Sequence, residues 1–161
     1  MRRTPLAILI FVSPVFAAAA SASAVPMAER LLGSWTCHAV EGKSENDTIM
    51  TLSYRRSAAW LIGEVTEDSG AVLLDVWFDD FSGTALALRR ILSNDATIEM
   101  SVVEETATEL KLEGELRHLL GTSARVREVF HFAGSDAFRA IWDEDSGEAW
   151  NVVLDRHCER T

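Results

Sequence analysis

The chain has 161 residues, 48% of them hydrophobic, with 15 basic against 25 acidic side chains and a formal net charge of −10. Such a surface repels phosphate backbones and anionic lipid headgroups, which argues against nucleic-acid and membrane-surface partners. The length suits one domain with a real core.

Arg2 and Arg3 open the chain, and an apolar run from Leu6 to Ala20 follows, broken by Ser13 and Pro14. Ala22-Ser23-Ala24 then fits the small-x-small rule for cleavage before Val25. Residues 1–24 therefore read as a signal peptide, which predicts a protein exported to the periplasm or secreted. The run is shorter than the roughly 20 residues a membrane helix needs, so no span is expected in the mature form. That form, residues 25–161, is a single domain carrying a net charge near −12.

After a short helical turn around Ala28 to Leu32, alternating or β-branched runs are separated by turn clusters. The predicted strands are Ser34–Val40, Thr48–Arg56, Trp60–Glu67, Ala71–Asp79, Thr84–Leu92, Thr97–Glu105, Glu109–Leu120, Ala124–Phe132, Ala137–Asp143 and Glu148–Glu159. Connections of two to five residues make neighbours antiparallel, so the topology is a meander. Asp68-Ser69-Gly70, Asp80-Phe81-Ser82-Gly83 and Asp145-Ser146-Gly147 are read as turns, because the strand-to-helix context of a nucleophilic serine is missing.

Cys37 and Cys158 are the two cysteines, one on the first predicted strand and one on the last. In an exported protein an even count reads as a disulfide; the rival reading, a metal pair, lacks the usual C-x-x-C spacing. A disulfide requires Cα atoms within about 7 Å, so the first and last strands must meet. The sheet then closes, and the fold class is all-β: an antiparallel up-and-down barrel of about ten strands. Barrels of this size enclose one small ligand.

Strand parity sorts the candidate site residues. His118 shares the face of Leu110, Leu112, Leu116 and Leu120, where an imidazole could orient a ligand or act as a base. Tyr54 and Arg56 lie with Met50 and Leu52, Glu64 with Trp60 and Ile62, and Asp75 with Leu73 and Trp77. Trp142 lies with Phe138 and Ala140, and Trp150 with Val152, Leu154, Arg156 and Cys158. Apolar walls with a few polar groups describe small-ligand cavities, and Tyr54, Arg56, Glu64, Asp75, His118, Trp142 and Trp150 are the candidate ligand contacts. His131 is expected to be exposed. His38 and His157 would be neighbours on the face opposite the cysteines, where a metal would need a third ligand such as Asp155 or Glu159. No metal site is assigned.

Gly33-Ser34-Trp35 at the head of the first strand, after a helical turn, resembles the Gly-x-Trp of the lipocalins and their calycin relatives, which include the fatty-acid-binding proteins. The pattern Leu-Gly-x-Trp-x-Cys at one end with Cys-x-Arg at the other is similar to secreted bacterial lipocalin-like proteins of unknown function. The resemblance implies that Trp35 plugs the closed end of the barrel under an arginine of the last strand. With Cys37 opposite Cys158, that arginine is Arg160, while Arg156 lies near Ala39. The glycine-rich continuation of nitrobindin-type haem barrels is missing after Trp35, and no cofactor is expected.

The leading expectation is an exported barrel, a monomer or weak dimer, that binds a small, mostly apolar molecule. An enzyme of isomerase or cyclase type is the first alternative, with His118 and Asp75 or Glu64 as acid and base. A cell-envelope protein-binding or inhibitor module acting through the Glu41–Asp47 connection is the second.

Overall fold

A computed structural model describes residues 27–42, 47–58, 60–70, 72–79 and 86–161. The segment 1–24 predicted to be a signal peptide, most of the Glu41–Asp47 connection and the Asp80-Phe81-Ser82-Gly83 cluster lie outside the described residues. A 3-10 turn, Met27–Leu31, leads into ten strands: β1 (Gly33–Glu41), β2 (Asp47–Ser57), β3 (Trp60–Glu67), β4 (Val72–Asp79), β5 (Leu86–Ile91), β6 (Thr97–Glu105), β7 (Glu109–Arg117), β8 (Ser123–Ala133), β9 (Ala137–Asp145) and β10 (Trp150–Arg160). Every neighbouring pair is antiparallel, and β1 also pairs with β10, so the meander closes into a barrel. Closure satisfies the backbone donors and acceptors that an open sheet leaves at its edges.

The seam has the register predicted from the cysteines. Cys37 stands directly opposite Cys158, and their disulfide joins Cα atoms 4.0 Å apart across a sequence separation of 121. Trp35 stands opposite Arg160 and Ala39 opposite Arg156. The Arg160 guanidinium lies 4.1 Å from the Trp35 ring centre. It donates to the carbonyls of Leu32 at 2.6 Å and Ser135 at 2.9 Å. The indole Nε1 of Trp35 donates to the Leu31 carbonyl at 2.7 Å, and Phe138 meets its ring edge-on at 4.8 Å. Met27, Ala28 and Leu31 are buried beneath it. This end of the barrel is sealed by the 3-10 turn and held by Arg160. Gly33 makes the geometry possible: its φ is +114°, and a Cβ there would collide with the Arg160 guanidinium.

Alternation holds along most strands, with inward Trp35, Cys37 and Ala39 on β1 and inward Val126, Glu128, Phe130 and Phe132 on β8. Two irregularities break it. β6 shifts register between Val102 and Glu104, and β10 between Val152 and Leu154. The extra residue on the bulged strand flips the face of everything beyond it. β7 is shorter than expected: it stops at Arg117, and the chain turns with Gly121 N–H donating to the His118 carbonyl at 3.0 Å. The Asp145-Ser146-Gly147 cluster is a turn, with Gly147 N–H donating to the Asp145 carboxylate at 2.7 Å. Among the described residues no helix is long and apolar enough to cross a membrane.

Candidate functional site: an ion layer inside the barrel

Inward-facing positions on five strands place charged and phenolic groups in the lumen. Tyr54 comes from β2, Asp75 from β4, Arg90 from β5, Glu128 from β8 and Arg156 from β10, and each is at most 3% exposed. Asp75 is the best-served member. Its carboxylate accepts from the Tyr54 hydroxyl at 2.8 Å, from Arg90 Nε at 2.7 Å and from Arg90 Nη2 at 3.0 Å. Arg90 Nη2 also reaches Glu128 Oε2 at 3.0 Å, and Arg156 Nη2 donates to Glu128 Oε1. The chain Tyr54–Asp75–Arg90–Glu128–Arg156 runs through the lumen from β2 by way of β4, β5 and β8 to β10, so that its two ends are separated by β1 alone. Two carboxylates and two guanidiniums balance, which is what keeps so many buried charges tolerable.

Burial by itself would raise the Asp75 carboxyl. The Arg90 guanidinium, with hydrogen bonds from Arg90 and Tyr54, overrides it and holds Asp75 below the usual carboxylate range. Burial and the neighbouring Asp75 charge push the Tyr54 phenol well above its ordinary value, so it remains a neutral donor. Room for that ring comes from Gly63, which pairs with Tyr54 across β2 and β3. A methyl group at Gly63 would overlap the ring. Gly63→Ala is therefore expected to cost about 1–3 kcal/mol through overpacking, measured as a lower midpoint in urea unfolding.

The layer leaves several polar atoms unserved. Nε and Nη1 of Arg156, Nε1 of Trp142 and Nε1 of Trp77 are buried and make no hydrogen bond within the protein, while Oε2 of Glu128 has the Arg90 ion pair. Trp142 is paired in register with Glu128 on one side and Leu154 on the other, which sets it beside the Glu128–Arg156 contact. Trp77 lies two residues from Asp75, its ring 5.7 Å from Phe130. Buried polar atoms in native proteins nearly always have partners, so an unserved group of this kind marks a place that water or a ligand fills.

Of the seven expected ligand contacts, Tyr54, Asp75 and Trp142 are inside the barrel. The other four are not, each for a local reason. Arg56 shares Tyr54's parity but sits where β2 runs out at the sealed rim, exposed and ion-paired with Glu29 of the 3-10 turn. Glu64 has outward parity, because Leu61, Gly63 and Val65 take the inward positions of β3 and leave Trp60 54% exposed. His118 lies beyond the end of β7, in an exposed turn. Trp150 precedes the β10 bulge and faces outward, under the guanidinium of Arg127 at 4.6 Å. The acid–base pair of His118 with Asp75 or Glu64 is consequently not assembled.

Arg90, Glu128 and Arg156 are the members that sequence reading did not select. Glu128 carried a legible signal: it is the one acid in the inward stripe Val126, Glu128, Phe130, Phe132. Outside the barrel, His38 stands opposite His157 in register, but their ring contacts are separate, His38 with Asp47 at 2.8 Å and His157 with Asp155 at 3.6 Å. His131 is exposed and pairs with Glu109 at 3.1 Å. Among the described residues no three metal-ligating side chains come together. No family model and no curated protein sequence matches this chain.

Proposed function

We propose that this chain is an exported, lipocalin-like barrel that binds a small, mostly apolar molecule in its lumen. The observation that carries the reading is the set of unserved donors on Arg156 and Trp142, next to an ion layer and surrounded by apolar walls. Ligand sites in proteins have this composition, a mainly apolar lining with a few polar groups that fix orientation. The sealed end supports the family likeness, since Gly33, Trp35 and Arg160 make the contacts that the lipocalin resemblance implies. Export is supported by the Cys37–Cys158 disulfide, which persists in oxidising compartments, together with the leader-like sequence of residues 1–24.

Diphenylhexatriene, a pure hydrocarbon that fluoresces when it leaves water, tests the reading directly. Saturable uptake at one molecule per chain is expected, with the emission of the lumenal tryptophans quenched in parallel. Native mass spectrometry of protein purified from its own host should show an adduct that solvent extraction removes. A chain that takes up no dye and carries no adduct is not a small-ligand carrier.

A further inference from the structure

We infer that the outer wall formed by β3, β4 and β5 is a self-association face, on which a second copy of this chain docks about a two-fold axis. This face lies outside the barrel and does not depend on what the lumen holds.

Outward positions elsewhere carry charge, as Glu113, Glu115 and Arg117 do on β7 and Asp155, His157 and Glu159 on β10. On β3 to β5 most of them are apolar. Trp60 and Ile62, Leu74, Val76 and Phe78, and Ile91 have the parity opposite to the inward Leu61, Asp75, Trp77 and Arg90. Trp60 is 54% exposed, Ile91 43% and Leu74 37%. Register makes them one patch, with Ile62 opposite Val76, Leu74 opposite Ile91 and Phe78 opposite Ala87. At the usual strand and side-chain spacings this face covers about 300 Å². Contiguous apolar patches of that order on a monomer mark interaction sites.

The charges at its border fit a second copy. Among the described residues, Arg55 on β2 and Glu64 on β3 make neither an ion pair nor a side-chain hydrogen bond. Arg89, Arg117, Arg125, Arg127 and Arg139 by contrast each hold a carboxylate on the outer wall. Arg55 stands opposite Ile62 and Glu64 opposite Ser53, so the two are diagonal neighbours at the edge of the patch. In an isologous contact residue i of one copy meets j of the other, and j meets i. The two-fold axis that sets Arg55 against the partner's Glu64 therefore forms that ion pair twice. By the same register it lays Trp60 over the partner's Leu74 and Ile91, and Phe78 against the partner's Arg89, a cation–π arrangement. A partner of one charge sign would satisfy Arg55 or Glu64 and repel the other, whereas a second copy satisfies both. The small footprint and the net charge of −10 on each copy make the dimer a weak one.

Sedimentation velocity on the purified, disulfide-bonded protein tests this at about 5 to 500 μM, the range of weak interfaces. A reversible monomer–dimer equilibrium is expected. Trp60→Glu should weaken it about tenfold or more while leaving the urea midpoint nearly unchanged, since the side chain stands on the outer wall. Glu64→Arg alone should weaken it about 3- to 10-fold, and Arg55→Glu/Glu64→Arg, which exchanges the two charges, should restore it. A protein that stays monomeric at the highest concentration overturns the inference. So does a dimer that Trp60→Glu leaves intact, which would put the interface elsewhere, or one that the charge exchange fails to restore. Neutral phosphatidylcholine vesicles are run beside these samples. Capture of monomer by the vesicles, abolished by Trp60→Glu, would assign the wall to lipid and overturn the inference as well.

Discussion

Asp75→Asn is expected to destabilise the barrel by about 3–5 kcal/mol, the cost of leaving a buried ion network short of one charge. Asp75 accepts two hydrogen bonds from Arg90 and one from Tyr54 while fully buried. An amide of the same shape keeps the volume but removes the negative charge, so two guanidiniums share one carboxylate. Equilibrium urea unfolding followed by tryptophan emission measures the loss. Tyr54→Phe is the control: it removes one neutral donor from the same carboxylate and should cost only about 1 kcal/mol. A loss no greater for Asp75→Asn than for Tyr54→Phe would show that the charge contributes little.

The same carboxylate sets a pH limit. Its folded pKa is depressed, so the unfolded chain takes up the proton first as pH falls. The stabilisation is complete above the unfolded value of about 4 and is lost as pH drops from there through the lower folded value. Tyr54 bounds the other side, since its raised pKa keeps it protonated while the unfolded chain ionises above about pH 10. Unfolding midpoints should therefore decline below pH 4 and again above pH 10. Asp75→Asn should flatten the acid limb, and Tyr54→Phe the alkaline one.

Removal of the Cys37–Cys158 disulfide is the second large effect. A loop spanning a sequence separation of 121 falls in the range where chain-entropy models give about 4–5 kcal/mol, and removal of native disulfides typically costs about 2–5 kcal/mol. The bond lies on the pair β1–β10 that closes the barrel. Loss should appear as a lower urea midpoint for Cys37→Ala/Cys158→Ala, and for wild type held under a reductant. Folded, reduced protein should still retain the seam, because ladder hydrogen bonds and the Trp35–Arg160 contact persist there. An unchanged midpoint on reduction would mean that the seam alone supplies the closure.

The barrel was legible because its determinants are local. Alternation marks each strand, and short turns force antiparallel neighbours. Two cysteines then close the ends, and Gly33, Trp35 and Arg160 follow once that register is set. Site residues were legible where parity runs unbroken from strand to lumen, as at Tyr54, Asp75 and Trp142. Parity failed at Trp150 because the bulge between Val152 and Leu154 adds a residue without any marked break in the sequence. At His118 it failed because β7 ends at Arg117 while the alternating pattern continues into the turn. Glu64 shows a different limit: its face was read correctly, but which face is the inside depends on all ten strands together.

By itself the sequence determined the class, the strand order and the seam, since each depends on spacing along the chain or on one pairing; the Trp35 plug was what the resemblance to the lipocalins implied. Tertiary structure decided which charges meet. Arg90 and Glu128 are 38 residues apart on strands separated by two others, and they touch only because the closed sheet faces its own interior. A buried ion layer is a property of the lumen, where desolvation makes partners obligatory, and no local pattern records who those partners are.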